Sequence, residues 1–164
     1  LINYTHNLKD IVLELNKRVI SNTHYEKFVS LFLGKINTKS QQFTYINAGH
    51  NPPLFYYQNR FTELTKGCTI LGINPVLGHV EVDTLEYAEE FTLMLYTDGL
   101  TDTFNGRNET ISIEKLKDIM ASGNSLAPEK INEAFINYAN TFREENEFPD
   151  DIAILTLKVS DLHF

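Results

Sequence analysis

The chain has 164 residues, 42% of them hydrophobic, enough to build the core of one domain. Its net charge of −8, from 22 acidic against 14 basic residues with no run of like charge, argues against a nucleic-acid or anionic-membrane surface and leaves carboxylates for hard cations. No apolar stretch approaches the roughly 18–20 residues of a membrane span, and the start has no signal-peptide layout. The single cysteine, Cys68, excludes an internal disulfide and fits a reducing cytoplasm, the expected compartment.

Leu8, Ile11, Val12, Leu15 and Val19 keep helical spacing and predict a first helix over roughly residues 6–20, capped by Thr5 or Asn7. An apolar run over 27–36 ends in turn residues and pairs naturally with 42–48 across a polar loop. Asn51-Pro52-Pro53 breaks that second strand, because proline cannot donate ladder bonds. Two short strands, 54–57 and 61–64, flank Gln58-Asn59-Arg60 as a hairpin. Residues 79–86 alternate apolar and polar, as a half-exposed strand does, whereas Phe91–Tyr96 does not alternate and should be central in its sheet.

Ser112 can cap a helix carrying Ile113, Leu116, Ile119 and Met120. A longer helix begins at Pro128, with Ile131, Ala134, Phe135, Tyr138, Ala139 and Phe142 as one stripe. The last strand is 152–159. The order is thus helix, five or six strands, two helices and a strand, with short turns that favour antiparallel pairing. The class is α+β, in a single domain over 1–164 without repeats, low-complexity tracts or linkers.

Three segments carry candidate chemistry. In 91-FTLMLYTDGLTD-102 an apolar strand runs into two acids around a glycine. One reading is a strand-end turn, with Asp102 starting a short helix. The other is that Gly99 allows a sharp turn and Asp98, on the tip of a rigid strand, projects into a cleft. In 149-PDDIAILTLKV-159 an acid pair opens a strand, and strand alternation predicts that Asp150 and Asp151 do not both face one site. If that strand lies antiparallel beside Phe91–Tyr96, its start adjoins Asp98. Two adjacent carboxylates repel unless a cation lies between them, and Mg²⁺ or Mn²⁺ with oxygen ligands resolves this. Otherwise each acid caps its own turn.

The third segment, 46-INAGHNPPLF-55, is a sharply shaped loop. A lone histidine such as His50 is more often hydrogen-bonded structure than a base. His6, His24, His79 and His163 lack zinc spacing, and Cys68 has no partner for such a site. No Gly-x-Ser-x-Gly elbow, Gly-Lys-Ser/Thr phosphate loop or Gly-x-Gly-x-x-Gly motif occurs.

Together, 47-NAGHNPPL-54, 96-YTDGLTDTFN-105 and 150-DDIAILTL-157, supported by 31-LFLGKIN-37 and Leu71-Gly72-Ile73, resemble bacterial SpoIIE-type phosphatases, over nearly the whole chain. These belong to the metal-dependent, protein-phosphatase-2C-like serine/threonine phosphatases. The resemblance implies a four-layer α-β-β-α fold, an antiparallel β-sandwich flanked by helices. It implies two Mn²⁺ or Mg²⁺ ions in the complete domain, and a metal-activated water that attacks the phosphorus directly.

By this resemblance Asp98 and Asp150 are the catalytic metal aspartates, Asp98 together with Gly99 in the family's Asp-Gly motif. Asp102 matches an acid that helps hold an additional, looser metal. Gly49, His50 and Asn51 replace a Gly-Asp-Ser loop of other branches, so an aspartate used there is missing. These three and Asp151 are candidate substrate-contacting or supporting positions.

The family's first metal motif, Asp-x-x-Gly-x-Gly, does not occur. The expectation is therefore an N-terminally truncated domain that begins downstream of the motif, binds metal weakly and has little activity by itself. The implied substrate is a phosphorylated protein, an anti-sigma-factor antagonist, with a sensor or receiver domain upstream and dimerisation allowed. The rival is a non-catalytic phosphatase-fold module that binds a regulatory partner, and the residues upstream of Leu1 would separate the two.

Overall fold

A computed structural model describes residues 7–160. In chain order the elements are α1 (Leu8–Thr23), β1 (Leu31–Asn37), β2 (Gln42–Ala48), β3 (Leu54–Tyr57), β4 (Arg60–Glu63), β5 (Gly67–Cys68), β6 (Asp83–Glu86), β7 (Phe91–Tyr96), α2 (Asp98–Thr101), α3 (Ile113–Ser122), α4 (Pro128–Phe142) and β8 (Ile154–Val159). They fall into two compact units. One runs through His50 and resumes over Thr65–Ala88; the other takes Asn51–Leu64 and continues from Glu89.

In the first unit Asn7 caps α1 by accepting a hydrogen bond from the Lys9 amide. The helix ends at Thr23, beyond the expected residue 20, where His24 takes a left-handed conformation and its amide reaches the Ile20 carbonyl. Thr5, the alternative cap, lies outside the described residues. Leu8, Ile11 and Val12 of α1 pack with Ile46 and Ala48 of β2 and with Leu71.

One edge of β2 pairs antiparallel with β1 along its whole length. The other edge is divided: Gln42–Tyr45 pairs antiparallel with β6, and Asn47–Ala48 pairs parallel with β5. This division corrects the strand expected over 79–86. Only Asp83–Glu86 reaches a free stretch of β2, because Gly67–Cys68 already occupies the place that residues further upstream would need. Val80 is buried instead as a core residue of the loop.

The second unit is a four-stranded antiparallel sheet in the order β4-β3-β7-β8. The central place expected for β7 is the observed one. The β3–β4 hairpin turns on Gln58 and Asn59 alone, both at positive φ (48° and 59°), so β4 starts at Arg60, one residue before the expected strand. Ser112 caps α3 by accepting from the Lys115 amide, and Pro128 occupies the first turn of α4.

Met94 and Tyr96 of β7 pack with Leu116 and Met120 of α3 and with Ile131, Phe135 and Ala139 of α4. Each such large apolar side chain contributes about 1.5–3 kcal/mol by leaving water. That core clamps the helices on the sheet and makes β7 a rigid support for the turn at its C-terminal end.

Candidate functional site

The end of β7 and the start of β8 are stitched by one side chain. In the ladder Tyr96 is opposite Ile154, and beyond it the Thr97 amide donates to the Ala153 carbonyl at 3.1 Å. The Thr97 hydroxyl donates to the Asp151 carbonyl (3.1 Å) and accepts from the Ala153 amide (2.9 Å). The chain then coils at once into the single turn α2, which Asp98 begins.

Gly99 comes next in α2 and lies against the backbone of the acid pair. A Cβ there would sit 2.5 Å from the Asp151 carbonyl oxygen and 2.9 Å from that of Asp150. The glycine is thus required for close approach and not, as expected, for a sharp turn: its φ is ordinary, and it is buried inside a helical turn. The residues flanking Asp98, Thr97 and Gly99, lie against the 150–151 backbone, whereas the Asp98 and Asp150 side chains border different depressions.

Asp98 is exposed, and its Oδ1 accepts from the Gly99 amide at 3.1 Å. Asp102 closes α2, its amide donating to the Asp98 carbonyl at 2.7 Å, rather than starting a helix as expected. Both acids line an open cleft of about 530 Å³ together with Asn51, Pro52, Tyr96 and the first residues of α3. Burial, and then the Glu63 carboxylate, push the Tyr96 phenol up to about 12.

Asp150 and Asp151 border a separate depression of about 350 Å³ with Phe148 and Ile152. Strand alternation does not govern this pair, because β8 starts only at Ile154 and neither aspartate belongs to a strand. The Asp150 Oδ1 accepts from the Asp151 amide at 2.7 Å.

Gly49 and His50 belong to the other unit. Their loop is held by Asn47, 5% exposed, whose Oδ1 accepts from the His50 amide (2.8 Å) and whose Nδ2 donates to the His50 carbonyl (3.0 Å). Gly49 takes φ +72°, a conformation that other residues adopt only under strain. Asn47 and Thr97 escaped sequence reasoning, since each works through partners that only the fold brings near. A signal was present in both: a polar residue adjoining a turn motif, at the end of an apolar strand.

The donor chemistry at the β7–β8 junction suits a hard divalent cation. Carboxylates such as those of Asp98 and Asp150 are the oxygen donors that such an ion takes, and among the described residues no lysine or arginine forms a salt bridge with Asp98, Asp102, Asp150 or Asp151. No group of three or more His, Cys, Asp or Glu side chains able to hold an ion is present among the described residues. The acids of the junction are of the right chemical type for such an ion, while their side chains border two different depressions.

Comparison with known proteins adds family and fold. The family model described as Stage II sporulation protein E (SpoIIE) matches residues 1–160. The phosphoserine phosphatase RsbU of Bacillus subtilis (strain 168) is 32% identical over 111 residues, covering 65% of this chain and 32% of that protein. The chain thus spans about a third of the length of the curated relative it matches.

Among solved structures, the SiaA-PP2C domain of Pseudomonas aeruginosa superposes with a TM-score of 0.79 at 18% identity, covering 92% of this chain and 60% of that one. The phosphatase domain of the cell fate determinant SpoIIE from Bacillus subtilis, presoaked with Mn, gives 0.66 at 13% identity, covering 98% and 70%. At these identities the likeness is one of fold: a mixed α+β arrangement of antiparallel sheets and helices shared with protein-phosphatase-2C-like phosphatases.

Proposed function

This chain belongs to the Stage II sporulation protein E (SpoIIE) family, and on that premise we propose that it forms a metal-dependent serine/threonine protein phosphatase domain in bacterial signalling. Both compact units belong to that one domain. The observation that carries the proposal is the approach of Gly99 to the Asp150–Asp151 backbone, which draws two acidic segments distant in sequence to one end of β7 and β8.

Asp98 and Asp150 would hold Mn²⁺ or Mg²⁺, with Asp102 as an accessory acid and Asp151, Asn51, Gly49 and His50 in supporting or substrate-contacting places. Such ions activate water and neutralise charge on a phosphoryl group. The chain's own contribution is positional. Thr97 and the β7 ladder fix the Asp98 backbone, while Gly99 admits the partner segment to within contact distance.

The substrate class is a protein phosphorylated on serine or threonine, as the name of the phosphoserine phosphatase RsbU suggests, and an anti-sigma-factor antagonist is the member of that class that we propose. Further elements of the proposal are control by a sensor or receiver domain, a cytoplasmic setting and dimerisation. No helix among the described residues is long and apolar enough to cross a membrane.

A second reading, a module that docks a regulatory partner without turnover, is favoured by one observation: Asp98 and Asp150 border two separate depressions. Phosphate release from a phosphoserine protein, measured with and without Mn²⁺ in the natural protein that carries this chain, separates the two. The phosphatase reading expects Mn²⁺-dependent release that Asp98→Asn lowers about a hundredfold or more. Partner binding with no release in Mn²⁺ would leave the docking module.

A further inference from the structure

The cleft beside Asp98 contains a group for which metal binding has no use. Tyr96 ends β7 two residues before Asp98 and is 3% exposed, its ring packed with Leu100, Ile111 and Leu116. Its hydroxyl nevertheless has no hydrogen-bond partner among the described residues, and the residue lines the cleft. A phenylalanine would fill the same core space, and the hydroxyl, which makes no bond among the described residues, is left to what enters the cleft.

A tyrosine hydroxyl can donate a hydrogen bond as well as accept one.

The rest of the wall mixes apolar Pro52, Ile111 and Ile113 with Asn51, Thr101, Thr110 and Ser112, and its charge-bearing residues are all acidic: Asp98, Asp102 and Glu114, with no lysine or arginine lining the cleft. At about 530 Å³ the cleft falls within the roughly 300–1,000 Å³ of ligand-binding sites. An extended peptide laid in it would present backbone carbonyls to the Tyr96 hydroxyl. Its acidic side chains would meet like charge, whereas its basic side chains would meet Glu114.

We propose that this cleft is the groove that takes the stretch of a phosphorylated protein next to its phosphoserine or phosphothreonine. Tyr96 donates a hydrogen bond to that stretch's backbone, and Glu114 selects basic over acidic flanking residues. The phosphorylated nature of the ligand rests on the phosphatase reading; the groove and its charge preference rest on the cleft.

Two fluorescent phosphoserine peptides that differ only in carrying Lys or Glu at the flanking positions provide the test. Each is titrated by anisotropy into the intact protein, with and without Mn²⁺, and phosphate release is followed in parallel. The Lys-flanked peptide should bind about tenfold more tightly than the Glu-flanked one, and Glu114→Gln should narrow that gap. Tyr96→Phe should weaken both peptides by about fivefold to tenfold with an unchanged melting temperature.

Equal affinities for the two peptides, no binding of either, or unchanged binding by Tyr96→Phe overturns the groove. A lowered melting temperature for Tyr96→Phe would give the hydroxyl a structural use and overturn its role as a substrate donor. If peptide preference persists while no phosphate is released, the groove stands and the phosphatase reading falls.

Discussion

The α-carbon of Gly99 faces the carbonyl of Asp151 so closely that a methyl group on it would lie 2.5 Å from that oxygen. The contact joins the first turn after β7 to the acid pair that precedes β8, and no side chain larger than hydrogen fits between them. Gly99→Ala should therefore force the two backbones apart and cost about 1–3 kcal/mol in denaturant unfolding. Calorimetric Mn²⁺ binding should weaken in parallel. An alanine variant with unchanged stability would show that the segment yields freely.

Asp98 and Asp150 are exposed and make no salt bridge among the described residues, so neutralising them should leave the fold intact. Asp98→Asn and Asp150→Asn should each weaken Mn²⁺ at least about tenfold in titration calorimetry. Asp102→Asn should do so less. Equal affinities in all three variants would remove these residues from the metal centre.

The Asn47 side chain accepts from the His50 amide at 2.8 Å and donates to the His50 carbonyl at 3.0 Å. Asn47→Ala removes both bonds at a buried position and should cost about 1–3 kcal/mol. Asn47→Asp keeps the acceptor but sets a buried carboxylate against the His50 carbonyl oxygen, so it should cost no less. Hydrogen exchange at the His50 amide should accelerate in Asn47→Ala, which loses the acceptor.

Tyr96 predicts how alkali acts on the protein. Its phenol is pushed up from 10.0 to about 12 by burial first and Glu63 second. Between those values the unfolded chain releases a proton that the folded chain retains, so stability should be flat below about pH 10 and fall as pH rises toward 12. Tyr96→Phe should flatten that decline. Absorbance titration of the phenols alongside thermal melts at each pH provides the check.

The elements legible in the sequence are those whose signal is local. Phe91–Tyr96 is central in its sheet, paired with β3 on one edge and β8 on the other, as its unbroken apolar character indicated. The helices begun by Ser112 and Pro128 show their caps and stripes within a dozen residues. The features that stayed hidden depend on occupancy elsewhere in the fold. Residues 79–82 alternate like a strand yet find their place on β2 already taken by Gly67–Cys68. The meeting of the residues beside Asp98 with the Asp150–Asp151 backbone was readable only because β8 pairs antiparallel with β7, whereas Thr97, which fastens it, is one inconspicuous residue in a motif dominated by acids.

The unequal footing of the two aspartates has a thermodynamic consequence. Asp98 comes two residues after a strand whose end is laddered to β8, with Thr97 between them bonded to Asp151 and Ala153, so its backbone is ordered before any cation arrives. Asp150 lies four residues ahead of its strand, in a bend that starts at Pro149, tied down only from Asp151 onward by Thr97. Ordering a backbone residue costs about 1–2 kcal/mol of conformational entropy, and in the proposed metal site that cost would fall on Asp150. Proline at 149 limits it by removing one torsional freedom from the unbound state. Ion affinity should then be tuned from this bend, with loosening there felt as faster release of the ion and no change in the structure that remains.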